Sequence, residues 1–119
     1  MAGGENMCTK SELNGILQKL TKIYKDVYGE NLVQIILYGS YARGDYTADS
    51  DVDIVAIVRG EREKLQEQLK QVWEFSGDLE LEYETVLSPT VIPYEEFKRY
   101  QKDLPYYRNI AQEGVVIVA

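Results

Sequence analysis

Gly39-Ser40 stands ten residues ahead of Asp51-Val52-Asp53, and this pairing of a small-residue turn with two carboxylates is the part of the chain best suited to chemistry. Glycine lets the backbone turn sharply and lets a ligand come close, and a serine hydroxyl can cap a short helix. A helix starting at Ser40 and running through Arg43 would present backbone N–H groups at its open end, where phosphate is attracted. Arg43 adds a fixed positive charge beside them. Asp51 and Asp53 lie two apart, so on a strand both carboxylates leave one face with their Cα atoms about 7 Å apart. Such a pair offers hard oxygen donors suited to Mg2+ shared with a triphosphate. Gly-Ser turns and Asp-x-Asp strands are each common alone; their order and spacing carry the reading.

Two apolar runs must hold these residues in place. Leu32–Tyr38 (LVQIILY) and Asp51–Val58 (DVDIVAIV) are rich in β-branched side chains and predict strands, with the acids at the mouth of the second. Ahead of them, Thr9 and Glu12 have capping-box spacing. Leu13, Ile16, Leu17, Leu20, Ile23, Tyr24 and Val27 then recur at helical intervals, up to a stop at Gly29. Gly60 precedes a second helical pattern, Glu61 to Phe75, with Leu65, Leu69, Val72 and Trp73 on one side. Trp73 in that stripe is expected in the core rather than stacked on a base. Ser76-Gly77-Asp78 reads as a helix break, and Leu79–Leu87 (LELEYETVL) alternates with a period of two, as a strand would. After Ser88-Pro89, a helix is expected from Pro93 with Tyr94, Phe97 and Tyr100. A further helical turn restarts at Leu104-Pro105 through Tyr106 to Gln112. Gly114 closes that turn, and Val115–Val118 forms a short strand or docking tail. Tyr94, Tyr100, Tyr106 and Tyr107 belong to a total of 10 tyrosines, read as partly buried packing in preference to an interface.

With 119 residues the chain reads as one α/β domain, residues 1–119, whose first nine residues are expected to be flexible. It carries 20 acidic and 13 basic residues, a formal net charge of -7, and no Lys/Arg run. That balance argues against DNA or RNA as principal partner. Histidine is absent and Cys8 is the only cysteine, so no intrachain disulfide, Cys/His zinc site or Ser-His nucleophile can be built. Cys8 is expected to be inert. No apolar stretch reaches transmembrane length and Met1–Thr9 has no hydrophobic signal core, from which a cytoplasmic location is expected.

The run GSYARGDYTADSDVDIVAIV resembles the signature of the minimal nucleotidyltransferases of the DNA polymerase beta superfamily, and its ten-residue spacer matches the antitoxin-type members paired with HEPN toxins. The resemblance is specific over Leu37–Val58 and looser through Glu113-Gly114-Val115. It implies a nucleotidyltransferase fold, a small mixed sheet flanked by helices. It also implies that Gly39, Ser40 and Arg43 bind the nucleotide, while Asp51, Asp53 and a third carboxylate on a neighbouring strand hold two Mg2+ ions and carry catalysis. Glu84 is the first choice for that third acid and Glu82 the second, with solvent exposure of Glu80, Glu82 and Glu84 as the alternative. Arg43 has its own alternative, an ion pair with Asp45 or Asp49. The implied reaction moves AMP from ATP to a hydroxyl, a tyrosine of a HEPN partner, and so silences that toxin. Two further readings stay open. One is a catalytically weak antitoxin that neutralises by binding; the other is a small-molecule transferase, as in the aminoglycoside-modifying relatives, with its acceptor site completed by oligomerisation.

Overall fold

A computed structural model describes residues 9–118; the expectations for Cys8 and the first residues lie outside that range. Thr9 opens the first helix in the way its spacing predicts. Its hydroxyl accepts from the Glu12 N–H at 3.1 Å, and its own N–H donates to the Glu12 carboxylate at 3.0 Å. Two amides that a helix start would otherwise leave without partners are thereby satisfied. Helix α1 runs Lys10–Tyr28, ends at Gly29 with φ 56, and buries Ile16, Leu17, Leu20, Tyr24 and Tyr28. A 3-10 turn, Gly29–Asn31, leads into β1 (Leu32–Tyr38). The short helix α2 (Ser40–Arg43) follows, then β2 (Val52–Val58), antiparallel to β1 with Tyr38 opposite Asp53.

Helix α3 spans Arg62–Tyr83, which corrects both the break expected at Ser76-Gly77-Asp78 and the strand expected over Leu79–Leu87. Leu65, Leu69, Val72, Ser76 and Leu79 are all buried and follow one another at steps of four and three, so a single helical stripe passes straight through the supposed break. Ser76 stays in the helix by donating its hydroxyl to the Trp73 carbonyl at 2.9 Å. The apparent period of two in LELEYE is incidental: Leu79 is buried while Leu81, two residues on, is 83% exposed. Gly77 is left as a glycine inside a helix, where an added Cβ would meet nothing within 4 Å. Gly77→Ala should therefore stabilise the protein by roughly 0.5–1 kcal/mol, read as a raised urea midpoint; a strand or turn at this position would give a loss.

The third strand is β3 (Leu87–Pro93), displaced toward the C-terminus from the sequence reading and parallel to β2, with Asp53 beside Ser88 and Val55 beside Thr90. A parallel neighbour needs a crossover, and α3 supplies it. Ser88-Pro89 thus lies inside a strand instead of ending one. Pro89 and Pro93 are accommodated because β3 is at the edge of the sheet. Trp73 is also corrected. It is 48% exposed, with its indole N–H donating to the Pro89 carbonyl at 2.9 Å. Val72 takes the buried seam, and the adjacent position turns outward along the sheet edge.

Helices α4 (Tyr94–Tyr100) and α5 (Pro105–Glu113) follow, with Pro105 in the first turn of α5 and Gly114 closing it, and β4 (Val115–Val118) pairs antiparallel with β1. The sheet order is β3-β2-β1-β4. One face is covered by α1 and α3 around Tyr24, Ile35, Ile54, Leu69 and Val72. On the opposite face Ile36, Val55, Ile57 and Ile92 pack against Phe97 of the shorter α4 and Ile110 of α5. No described helix is long and apolar enough to cross a membrane.

Candidate active site

Alternation along β2 decides where the carboxylates point. Val52, Ile54, Ala56 and Val58 belong to the core under α1 and α3, whereas Val55 and Ile57 belong to the other face. Asp53 therefore shares the α4/α5 face, with Tyr38 opposite it on β1 and Ser88 beside it on β3. Asp51, one residue ahead of β2, is exposed, and its charge acts on Asp53.

Gly39 is fixed by this neighbour. Its φ is 76 and ψ -155, and a Cβ added there would lie 2.5 Å from Asp53 Oδ2. Backbone at this point passes directly against the carboxylate, and only a residue without a side chain leaves the room. Gly39 is itself the N-cap of α2: its carbonyl accepts from the Ala42 N–H at 3.0 Å and the Arg43 N–H at 3.1 Å. No side-chain cap closes the turn, so the capping role expected for the Ser40 hydroxyl is not the one the fold uses; Ser40 is the first residue of the helix. Arg43, exposed, pairs with Asp45 at 3.3 Å, as its alternative reading anticipated, and with Glu113 at the end of α5 at 3.5 Å. Its positive charge also reaches Asp53.

Burial, and then the Asp51 charge, push the Asp53 carboxyl above the usual carboxylate range, with Arg43 drawing it back. A proton affinity higher in the folded than in the unfolded chain means that the native state binds more protons in that window. The contribution of Asp53 to stability consequently falls as pH rises through it, the reverse of a salt-bridged aspartate. Urea unfolding followed from acid to neutral pH should show this decline in the native chain and less of it in Asp53→Asn.

The third carboxylate is where sequence and structure part. Glu84 is not on a strand: it is the exposed C-cap of α3, in the left-handed conformation at φ 51 and ψ 45. Glu82 lies on α3, paired with Lys19 at 2.9 Å, and the Glu80 carboxylate accepts from the Leu87 N–H at 2.8 Å. The residues that β3 does set on the Asp53 face are Ser88 and Thr90, hydroxyls in place of an acid. Among the described residues, no group of three His, Cys, Asp or Glu side chains could hold a metal ion. The error descends directly from the misplaced strand: moving β3 from 79–87 to 87–93 removes every glutamate from it. Glu84→Gly should stabilise the fold by about 1 kcal/mol, because glycine adopts the left-handed cap without strain, and should leave turnover intact. A large loss of turnover would restore Glu84 to the site.

Two aromatic residues complete the surroundings and had no local signal beyond their type. Tyr106, second in α5, packs edge-to-face on Tyr38 with ring centroids 6.1 Å apart. Its phenol is pushed up by burial, drawn down by a hydrogen bond with the Thr90 side chain, and pushed up by Asp53. Its ring thus packs on Tyr38, and its phenol is within reach of the Thr90 side chain and the Asp53 charge. The residue is nonetheless 49% exposed.

A turn that accepts close approach, a carboxylate pair beside it and an arginine within electrostatic reach form a site suited to a polyphosphate and a divalent cation. The family model for the nucleotidyltransferase domain matches residues 15–118. The chain belongs to this family. As a nucleotidyltransferase, it is similar to two chains of Methanocaldococcus jannaschii. "Putative protein adenylyltransferase MJ0141" is 34% identical over 80 residues, 67% of this chain and 79% of the relative. "Putative protein adenylyltransferase MJ0604" is 31% identical over 101 residues, 85% and 93%. Among solved structures, a "putative nucleotidyltransferase" from Sulfolobus solfataricus superposes with a TM-score of 0.51 at 23% identity, covering 92% of this chain and 87% of the other. A toxin–antitoxin structure, MntA-HpeT, gives a TM-score of 0.51 at 16% identity, with 83% and 69% covered. These two establish the fold, and the mixed sheet flanked by helices is as expected.

Nucleotidyltransferases work on nucleotides with divalent metal ions. The residues present fit such an ion. Asp51 and Asp53 supply hard oxygen donors whose mutual repulsion a cation would relieve, and Gly39 keeps Asp53 Oδ2 uncovered.

Proposed function

We propose that this nucleotidyltransferase transfers AMP from ATP to a tyrosine hydroxyl of a HEPN-type partner protein and acts as its antitoxin. The observation that carries the reading is Asp53 set against the bare Gly39 backbone, with the Asp51 charge acting on it, on the face of the sheet covered by the shorter α4 and α5. The relatives named as protein adenylyltransferases support a protein acceptor, and the toxin–antitoxin neighbour supports a toxin as that protein.

In this reading the Gly39-Ser40 turn receives the β- and γ-phosphates, and Asp51 and Asp53 hold Mg2+. Bound there, Mg2+ withdraws charge from the α-phosphate and lowers the pKa of the acceptor hydroxyl. Arg43 exchanges part of its pairing with Asp45 and Glu113 for the charge that develops on departing pyrophosphate. The acceptor oxygen bonds to the α-phosphorus, the bond to the bridging oxygen of the pyrophosphate breaks, and the acceptor proton leaves to water. Ser88 and Thr90 offer hydrogen bonds at the acceptor side and no carboxylate base. A second Mg2+ would have only the same two aspartates and the triphosphate oxygens to rest on.

The lack of a third acid beside the pair among the described residues favours a second reading, an antitoxin that neutralises chiefly by binding. The two are separated by incubating the protein with the product of the adjacent gene, Mg2+ and each nucleotide in turn, and weighing both chains intact. One or more AMP groups on the partner, with ATP preferred, supports transfer. Neutralisation of the partner without any mass change, surviving Asp51→Asn with Asp53→Asn, would overturn it in favour of binding.

A further inference from the structure

We propose that Tyr106 is itself an AMP acceptor, so that the chain adenylylates its own tyrosine in cis. This rests on the nucleotidyl-transfer reading above and adds to it an acceptor inside the molecule. Tyr106 packs on the strand partner of Asp53 and feels the Asp53 charge. Its ring lies edge-to-face on Tyr38, the register partner of Asp53, and its oxygen meets the Thr90 side chain and the Asp53 charge. Thr90 is on β3, on one side of β2, whereas the Gly39-Ser40 turn follows β1, on the other. In-line displacement at phosphorus sets the entering and leaving oxygens on opposite sides. With the triphosphate tail on the Gly39 side, the entering oxygen comes from the β3 side, toward which the Tyr106 phenol reaches Thr90 from its packing on Tyr38.

Neighbouring tyrosines are committed elsewhere. Tyr107 is bonded to Glu96 at 3.1 Å and to Arg62 at 3.2 Å. Tyr24 and Tyr28 are buried and donate to the Thr90 and Leu65 carbonyls at 2.8 Å each. Tyr106 combines the Asp53 charge with a half-exposed side chain, whereas Tyr38, the cross-strand partner of Asp53, is more covered and carries the Tyr106 ring against its own. In the step, Tyr106 Oη bonds to the α-phosphorus of ATP, the bond from that phosphorus to the pyrophosphate oxygen breaks, pyrophosphate leaves and the phenol proton goes to water. Holding the nucleophile in the same chain replaces an encounter between molecules with a local approach.

The test incubates the purified protein alone with Mg2+ and ATP labelled at the α-phosphate, then maps the label by peptide mass spectrometry on the unaltered chain. The expected result is AMP on Tyr106, absent in Tyr106→Phe, retained in Tyr100→Phe, and formed at a rate per chain independent of chain concentration. Label on another residue, or a rate that rises in proportion to chain concentration, would overturn the assignment. So would an unlabelled chain, and the partner arm then separates the causes. If the partner becomes labelled in the same mixture, Tyr106 is not an acceptor but nucleotidyl transfer stands. If neither is labelled, the transfer reading fails with it.

Discussion

Asp51→Asn combined with Asp53→Asn should lower AMP transfer by about three orders of magnitude or more while leaving the protein folded and more stable than the native chain. The loss follows from removing both anionic donors for the cation, and among the described residues no third carboxylate stands by to compensate. The gain in stability has a separate cause. Asp53 sits partly buried against Asp51, and ionising it in that position costs folding free energy that an amide does not. The checks are transfer of labelled AMP under single-turnover conditions and the midpoint of urea unfolding at neutral pH. A fall in activity accompanied by a fall in stability would mean that the pair acts as a structural element. Activity kept within a few-fold of native would remove the carboxylates from the chemistry altogether.

Gly39→Ala should also disable the enzyme, by roughly 100-fold, through geometry instead of charge. The added methyl group would fall 2.5 Å from Asp53 Oδ2, and φ 76 with ψ -155 is a conformation that side-chain-bearing residues rarely adopt. Either the turn or the carboxylate must move, and both belong to the site. Backbone strain of this kind costs about 1–3 kcal/mol, so a lower unfolding midpoint should accompany the lost turnover. The opposite stability changes in Gly39→Ala and in the double asparagine variant distinguish their causes, although both lose activity. A Gly39→Ala protein with native turnover would show that Asp53 does not need its approach to the turn.

Much of the site could be read in the sequence because its central parts are close together along the chain. β1, the Gly39 turn and β2 form one antiparallel unit, and a strand alternates whatever surrounds it, so Gly39, Asp51 and Asp53 are brought together by local rules. The capping box at Thr9, the stop at Gly29, Pro105 at the start of α5 and Gly114 at its end were legible for the same reason: each is a short-range match of side chain to backbone.

What the sequence did not determine depends on partners far away in the chain. Ser76-Gly77-Asp78 is a weak break by propensity, and it is overridden by the packing of Leu79 in line with Leu65, Leu69 and Val72 against the sheet. That single tertiary decision lengthened α3, moved β3, and put Ser88 and Thr90 where a third acid was expected. It also left Glu84 as a helix cap and Trp73 at the sheet edge. The approach of Tyr106 to Asp53 spans 53 residues and is set by how α5 lies on the sheet, for which tyrosine and proline spacing holds no record. The turn and the two aspartates were legible in the sequence because they lie within one hairpin-like unit. What surrounds them was decided by tertiary structure, because it is assembled from the parallel register of β3 and the docking of α5, both long-range choices made by burial.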